Sequence, residues 1–332
     1  MARLFGGSPA GDLAKMPTVS VTLFGKHPAW GDHIDNLGDE SHFLLCARDI
    51  LYSEGMNRQI GTGAWEKLPM DRRLSGFDHF FSWHLGGRML NGLLWSSTDS
   101  HGRTQYPLVL VAETHRRPDA EPIRQIQQAL LIAKRRCVEA TDQAAVTRAM
   151  QELRASLQRF CPPQPSESPA LSVATGFQPS GDDLPRVLHE LRGSCSHFSS
   201  SHWSPGEASE GASSFRVRLT APDYSDLLDW MALLESQVHP AVSVLGFAER
   251  SAGIGDILLG LPTAQNFFCL KASPLAIPFT SAIPYEITSG LREYASTLVN
   301  GMKQGQRPGR TVFGDAGAVQ KSWLSPLSLL KS

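Results

Sequence analysis

Hydrophobic and polar positions alternate first near residue 19, where Val19, Val21 and Leu23 interleave with Ser20 and Thr22. A period of two predicts a strand, and Gly25 ends it. A compact loop follows, Lys26-His27-Pro28-Ala29-Trp30-Gly31-Asp32. Over residues 41–59 the period changes: Phe43, Ala47, Ile50 and Leu51 recur at helical spacing, with Ser41 placed as the N-cap. Residues 61–71 are broken by Gly and Pro and read as a loop. Two apolar, β-prone runs at 88–97 and 105–113 flank the turn Thr98-Asp99-Ser100-His101-Gly102, which predicts a β-hairpin. Residues 121–160 are helical in pattern, and Val146, Met150, Leu153, Leu157 and Phe160 form one stripe. Cys161-Pro162-Pro163 stops that helix, because proline cannot continue the ladder.

Residues 162–214 are rich in Pro, Ser and Gly, with one short helix predicted at 183–191. Phe215, Val217 and Leu219 alternate with Arg216, Arg218 and Thr220, a half-buried strand. Pro222 then marks a helix start, and Leu227, Met231, Leu234 and Val238 mark its face. Apolar runs at 242–248 and 254–260 predict a second hairpin. Gly260-Leu261-Pro262-Thr263 opens another helix, and 285–302 is the last. The expected fold is mixed α/β. It has two α/β units at 19–160 and 215–302, each with strand, helix and hairpin, joined by a linker or insertion at 161–214. Residues 1–18 and 303–332 read as a flexible leader and tail. The two units show no residue-level repeat.

Composition narrows the function classes. The 332 residues carry 31 Lys+Arg against 32 Asp+Glu, a formal charge of −1. Such a balance offers no long-range field to a phosphate backbone, so nucleic-acid binding is not expected. Hydrophobic residues are 41% and charged residues 19%, enough for a sizeable core. No apolar run reaches the roughly 20 residues of a membrane-spanning helix, and no apolar signal region opens the chain, so a cytoplasmic protein without membrane insertion is expected. The five cysteines are scattered and odd in number, which suits free thiols in a reducing compartment.

Cofactor and catalytic motifs fail one by one. The early glycines lack the spacing and the Lys-Ser/Thr of a phosphate loop. Gly61-Thr62-Gly63 lacks the third glycine and the preceding strand of a dinucleotide fold. No GxSxG elbow or HExxH helix occurs. Cys195, His197 and His202 offer zinc-type ligands, but they sit in a serine-rich stretch without a fourth partner, so neither metal nor cofactor is expected. His33, His42, His79 and His84 crowd one region with Asp32, Asp35 and Asp78. They form an acid–base site only if the fold gathers them; otherwise they are surface and loop groups. Asp182-Asp183 reads as a helix cap after Ser180 rather than a catalytic pair. The run Phe77, Phe80, Phe81, Trp83 reads as core or interface burial.

Two segments carry more. In Phe24-Gly25-Lys26-His27-Pro28-Ala29-Trp30-Gly31-Asp32 a strand ends in glycine and a short loop bears a lysine, a proline and a Gly-Asp pair. In Asp99-Ser100-His101-Gly102-Arg103-Thr104-Gln105-Tyr106-Pro107-Leu108 a turn precedes an aromatic-Pro-Leu strand, with Trp95 just before it. Both lie at strand–loop junctions, where a scaffold presents recognition residues. Trp30 and Trp95 are apolar anchors of the interface type, and Arg103 can offer its planar fork to Asp32 or Asp99. The bland alternative is that these glycines and prolines only shape turns.

Together the segments resemble the TagF (ImpM) family, accessory proteins of bacterial type VI secretion. On that resemblance Gly25, Lys26, Pro28, Gly31 and Asp32 take the first motif, and Asp99, Gly102, Arg103, Pro107 and Leu108 the second. It covers residues 19–115, with Gly260-Leu261-Pro262 similar to a later family segment. His33 replaces a bulky apolar residue, one extra residue separates Arg103 from Pro107, and the chain is longer, as in a divergent, expanded member. The resemblance implies a non-enzymatic, cytoplasmic regulator of type VI assembly. Its implied partners are a forkhead-associated-domain protein and membrane or baseplate subunits. Two other classes stay open: a hydrolase-like enzyme built on Asp32, His33 and the nearby histidines, and a purely structural subunit.

Overall fold

A computed structural model describes residues 19–85, 88–114, 120–160, 173–194, 214–221, 223–238 and 242–306. Among the described residues eight strands form one antiparallel sheet: β1 Val19–Gly25, β2 Ile34–Gly38, β3 Asp78–Leu85, β4 Arg88–Ser96, β5 Pro107–Thr114, β6 Phe215–Thr220, β7 Val244–Glu249 and β8 Ile254–Leu259. Their order is β2-β1-β5-β4-β3-β7-β8-β6. The class is mixed α/β, as the periodicity predicts. The hairpins β4–β5 and β7–β8 are the two expected ones. The two stretches read as separate units share this sheet: β3 pairs with β7, with Phe81 opposite Phe247. Sequence spacing cannot reveal a pairing between strands so far apart.

Both faces of the sheet are covered, so central strands are buried throughout. On β5, Leu108, Leu110 and Ala112 enter one core while Val109 and Val111 enter the other. The first core lies under α3 Ala120–Glu139, α4 Gln143–Phe160, α5 Asp183–Ser194, α6 Tyr224–Gln237 and α7 Ser289–Lys303. The second lies under α1 His42–Arg48, a π-helical stretch Asp49–Met56, α2 Asn57–Gly61 and the 3-10 helix Ala264–Lys271. Ser41 caps α1 as expected, its hydroxyl accepting from the Leu44 amide. The wide π turn was not foreseen. It accompanies a close approach, since a Cβ on Gly55 would lie 2.5 Å from the Phe267 ring.

Two further corrections concern packing. In the stretch read as linker or insertion the expected helix is α5, but residues 173–194 pack rather than link: Val173, Phe177, Leu184, Val187, Leu188 and Leu191 are buried in the first core. The aromatic run is buried as expected, on strand β3 and its approach, with Phe77, Phe80, Phe81 and Trp83 all in the cores. Trp95 is a core residue with 5% exposure, not an interface anchor, because its β4 position faces the first core. The expectations for residues 1–18, 161–172 and 195–213, for the helix start at Pro222 and for the tail beyond 306 lie outside the described residues. Cys137 and Cys269 are buried free thiols.

Candidate functional site

The two segments singled out in the sequence meet at one corner. Strands β1 and β5 pair so that Gly25 stands opposite Leu108. Gly25 has φ +112°, and a Cβ there would lie 2.2 Å from the Pro107 carbonyl oxygen, so only glycine fits. The next amide, Lys26 N–H, donates to that same oxygen at 3.4 Å. Pro107 is buried, which makes it part of the frame rather than of a contact surface.

Lys26 turns inward. Its Nζ lies 2.5 Å from Asp99 Oδ2, with 3% and 0% side-chain exposure for the two partners. The ammonium also sits 5.5 Å from the centre of the Tyr106 ring. Asp99 gathers four donors: Lys26 Nζ, Arg103 Nε at 2.6 Å, and the His101 and Arg103 amides at 3.0 Å each. Burial pushes its pKa up, but these cationic and amide donors outweigh it and hold the carboxyl well below the usual range. Asp99 is therefore ionised and fully occupied. Gly102, at φ +75°, turns the chain back so that Arg103 can reach it.

Arg103 then crosses to the first loop. Its Nη2 donates to the Gly31 carbonyl at 3.0 Å and lies 3.5 Å from Asp32 Oδ1. The Ser100 amide donates to the Trp30 carbonyl at 2.9 Å. Arg103 thus pairs mainly with Asp99 and only weakly with Asp32, whose side chain is 78% exposed. Pro28, Gly31 and Gly102 are also exposed, and Trp30 is half-buried against the first core.

His27 is the anchor that residue-type reasoning missed. It is buried, accepts from the Ala29 amide at Nδ1 (3.0 Å) and lies 2.7 Å from the Cys137 carbonyl through Nε2. That pattern requires the neutral ring with the proton on Nε2. Burial lowers its pKa, against the opposing pull of the Cys137 carbonyl. The Trp30 ring stacks edge-on against it, centroids 5.3 Å apart. The adjacent Lys26-His27 pair was the available signal: both side chains turn inward before an exposed loop.

A cleft of about 360 Å³ opens beside this corner, lined by Phe24, His33, Ile34, Asp35, Arg48, Tyr52, Ser53 and Asn57. His33 Nδ1 lies 3.3 Å from the Tyr52 hydroxyl, and its ring meets Tyr106 edge-on at 4.6 Å. Burial, with the nearby Lys26 charge, lowers the His33 pKa.

His79 and His84 do not join it. His79 is buried on the second-core face of β3, and desolvation takes its pKa down to about 3. His84 is on the opposite face, 3.1 Å from Glu235 of α6. Asp78 is engaged by Lys134 at 2.6 Å and Arg250 at 3.4 Å. Asp182 is held by Arg292 through two 2.9 Å bonds, so the Asp182-Asp183 pair is split. Among the described residues no group of three or more His, Cys, Asp or Glu is placed to hold a metal ion. The Cys195, His197 and His202 cluster lies outside them. No described helix is long and apolar enough to cross a membrane. No protein-family model matches the chain, and no curated protein does.

Proposed function

We propose that the chain is a non-enzymatic, cytoplasmic accessory protein of a bacterial type VI secretion system, regulating assembly through protein–protein contact at this corner. One observation carries the reading. The two TagF-like segments, far apart in sequence, pack together around the buried Lys26–Asp99 pair. That pair and His27 hold Pro28, Gly31, Asp32, Gly102 and Arg103 outward on a rigid frame. Preorganised loops lose less entropy on binding, so this is suitable construction for a recognition surface. The acid–base alternative has less support, because its histidines are divided between the two faces of the sheet. The partners in this reading are the forkhead-associated-domain protein and the membrane or baseplate subunits.

The test is a tagged pull-down from the native cytoplasm, read by mass spectrometry, with an Asp32→Ala, Arg103→Ala double variant alongside. Wild type should recover type VI components sub-stoichiometrically, and the variant should lose them while its melting curve stays cooperative. Constant stoichiometric recovery would point to a structural subunit instead. Recovery of no such component by either protein would remove the reading.

A further inference from the structure

The two most exposed large apolar side chains among the described residues are Met70, 84% exposed, and Leu275, 66% exposed. They stand on neighbouring turns. Met70 opens the 3-10 turn Met70–Arg72, and Leu275 follows the 3-10 helix Ala264–Lys271. Arg73 bridges to Ala272, the Leu74 amide donates to the Lys271 carbonyl at 2.9 Å, and the Ser273 amide donates to the Arg72 carbonyl at 3.0 Å. The Ser273 hydroxyl adds a bond to the Asp71 carbonyl at 3.2 Å. The apolar pair is therefore presented on a tied platform.

The rim of that platform is basic. Arg72, Arg73 and Lys271 outnumber Glu66 and Asp71, and among the described residues none of the three makes an ion pair. Lys271 lies over the Phe77 ring at 4.9 Å. Burial and the neighbouring Arg73 charge both lower its pKa, and Glu66 opposes them. Arg73 and Lys271 are thus held close together with Glu66 offsetting their charge only in part, an arrangement that an incoming carboxylate relieves.

We infer that this platform docks an acidic protein segment carrying an apolar side chain. Met and Arg are the residue types enriched where proteins meet, and isolated apolar tips beside unpaired arginines fit that composition. A uniformly anionic bilayer fits less well, since Asp71 and Glu66 would face it too. A protein partner can set its carboxylates on Arg72, Arg73 and Lys271 alone. The platform shares no residue with the Lys26–Asp99 corner, so its failure leaves the reading of that corner untouched.

The experiment is selection of phage-displayed random dodecapeptides on the full chain, with affinities of the recovered peptides measured by fluorescence anisotropy. Two double variants serve as controls, Arg72→Ser with Arg73→Ser, and Met70→Ser with Leu275→Ser. The recovered peptides should carry two or more Asp or Glu beside a Leu, Ile or Phe. Each double variant should weaken them by about tenfold or more, with unchanged melting curves. Their affinity should also fall as salt rises, since the cations are partly exposed. Peptides without acidic enrichment, or binding the variants equally well, would overturn the inference. So would binding of phosphatidylserine vesicles in place of peptides, or self-association that both variants abolish.

Discussion

Lys26 and Asp99 are 73 residues apart in sequence and 2.5 Å apart in space, sealed from solvent between β1 and the turn before β5. The pair is asymmetric. Lys26 has one carboxylate and the Tyr106 ring, whereas Asp99 has four donors from three residues. Removing one partner of a buried pair leaves the other charge uncompensated, so the loss depends on what each partner still has.

Asp99→Asn should therefore harm the fold more than Lys26→Met. Asparagine sets an NH2 group against two cations, while Lys26→Met leaves Asp99 with Arg103 and two amides. Lys26→Met should lower Tm by on the order of 5 °C. The pH dependence has a definite sign. The folded-state pKa of Asp99 lies below its ordinary 3.8, so its contribution is present above pH 3.8 and is lost as pH falls further. Urea midpoints at pH 7 and pH 3 should show the gap between wild type and Asp99→Asn narrowing at the lower value. A constant gap would mean that the carboxylate's charge contributes nothing.

Gly25 and Gly102 both have positive φ, yet they should respond differently to alanine. At Gly25 the added Cβ meets the Pro107 carbonyl oxygen at 2.2 Å, and at Gly102 it meets nothing within 4 Å. Gly102→Ala should cost only the left-handed backbone penalty, about 1–2 kcal/mol. Gly25→Ala must also part β1 from β5, and it should exceed that figure by chemical denaturation. Equal losses would show that the strand pair yields easily at this point.

Arg218 is 2% exposed and serves as a staple between β6 and the segment after β8. Its Nε and Nη2 take both oxygens of Asp256 at 2.9 and 2.7 Å. Its remaining donors reach the carbonyls of Cys269, Ala272, Ser273 and Ile277. Asp256→Ala should cost about 3–5 kcal/mol, because the guanidinium stays buried without its counter-ion. Hydrogen exchange should rise most over residues 269–277. Exchange raised evenly through the chain would argue against a local staple.

The parts of this fold legible from sequence are those whose pattern is local. The strand at Val19, the two hairpins, the Ser41 cap and the Asp99–Arg103 contact across four residues all follow from near neighbours. Strand β3 escaped because it buries His79, Ser82 and His84, which break the apolar signature of a central strand. Helix α5 escaped as a core element because its surroundings are rich in Ser and Pro. The Lys26–Asp99 pair needs the β1–β5 register, and the β3–β7 seam joins strands with half the chain between them. Neither has a local signal, although both motifs that meet at the corner were visible separately.

Asp229 on α6 gives the clearest test of electrostatics away from the corner. Its Oδ1 accepts the Ala174 amide at 2.9 Å, and next to it Trp230 stacks edge-on against Phe177 at 5.6 Å. Burial raises its pKa to about 6. The Ala174 bond and Arg124 oppose the rise, and Asp226 and Asp223 add to it. The folded chain thus binds more protons than the unfolded chain between pH 3.8 and about 6, so this group's effect on stability becomes less favourable as pH rises through that window. Asp229→Asn keeps an oxygen for Ala174 and removes the charge. It should stabilise the protein at pH 7 by on the order of 1–3 kcal/mol, with the advantage gone near pH 4. Urea unfolding of both proteins across that range decides the matter. A variant less stable than wild type at pH 7 would show that the ionised carboxylate is worth more to Ala174 than its burial costs.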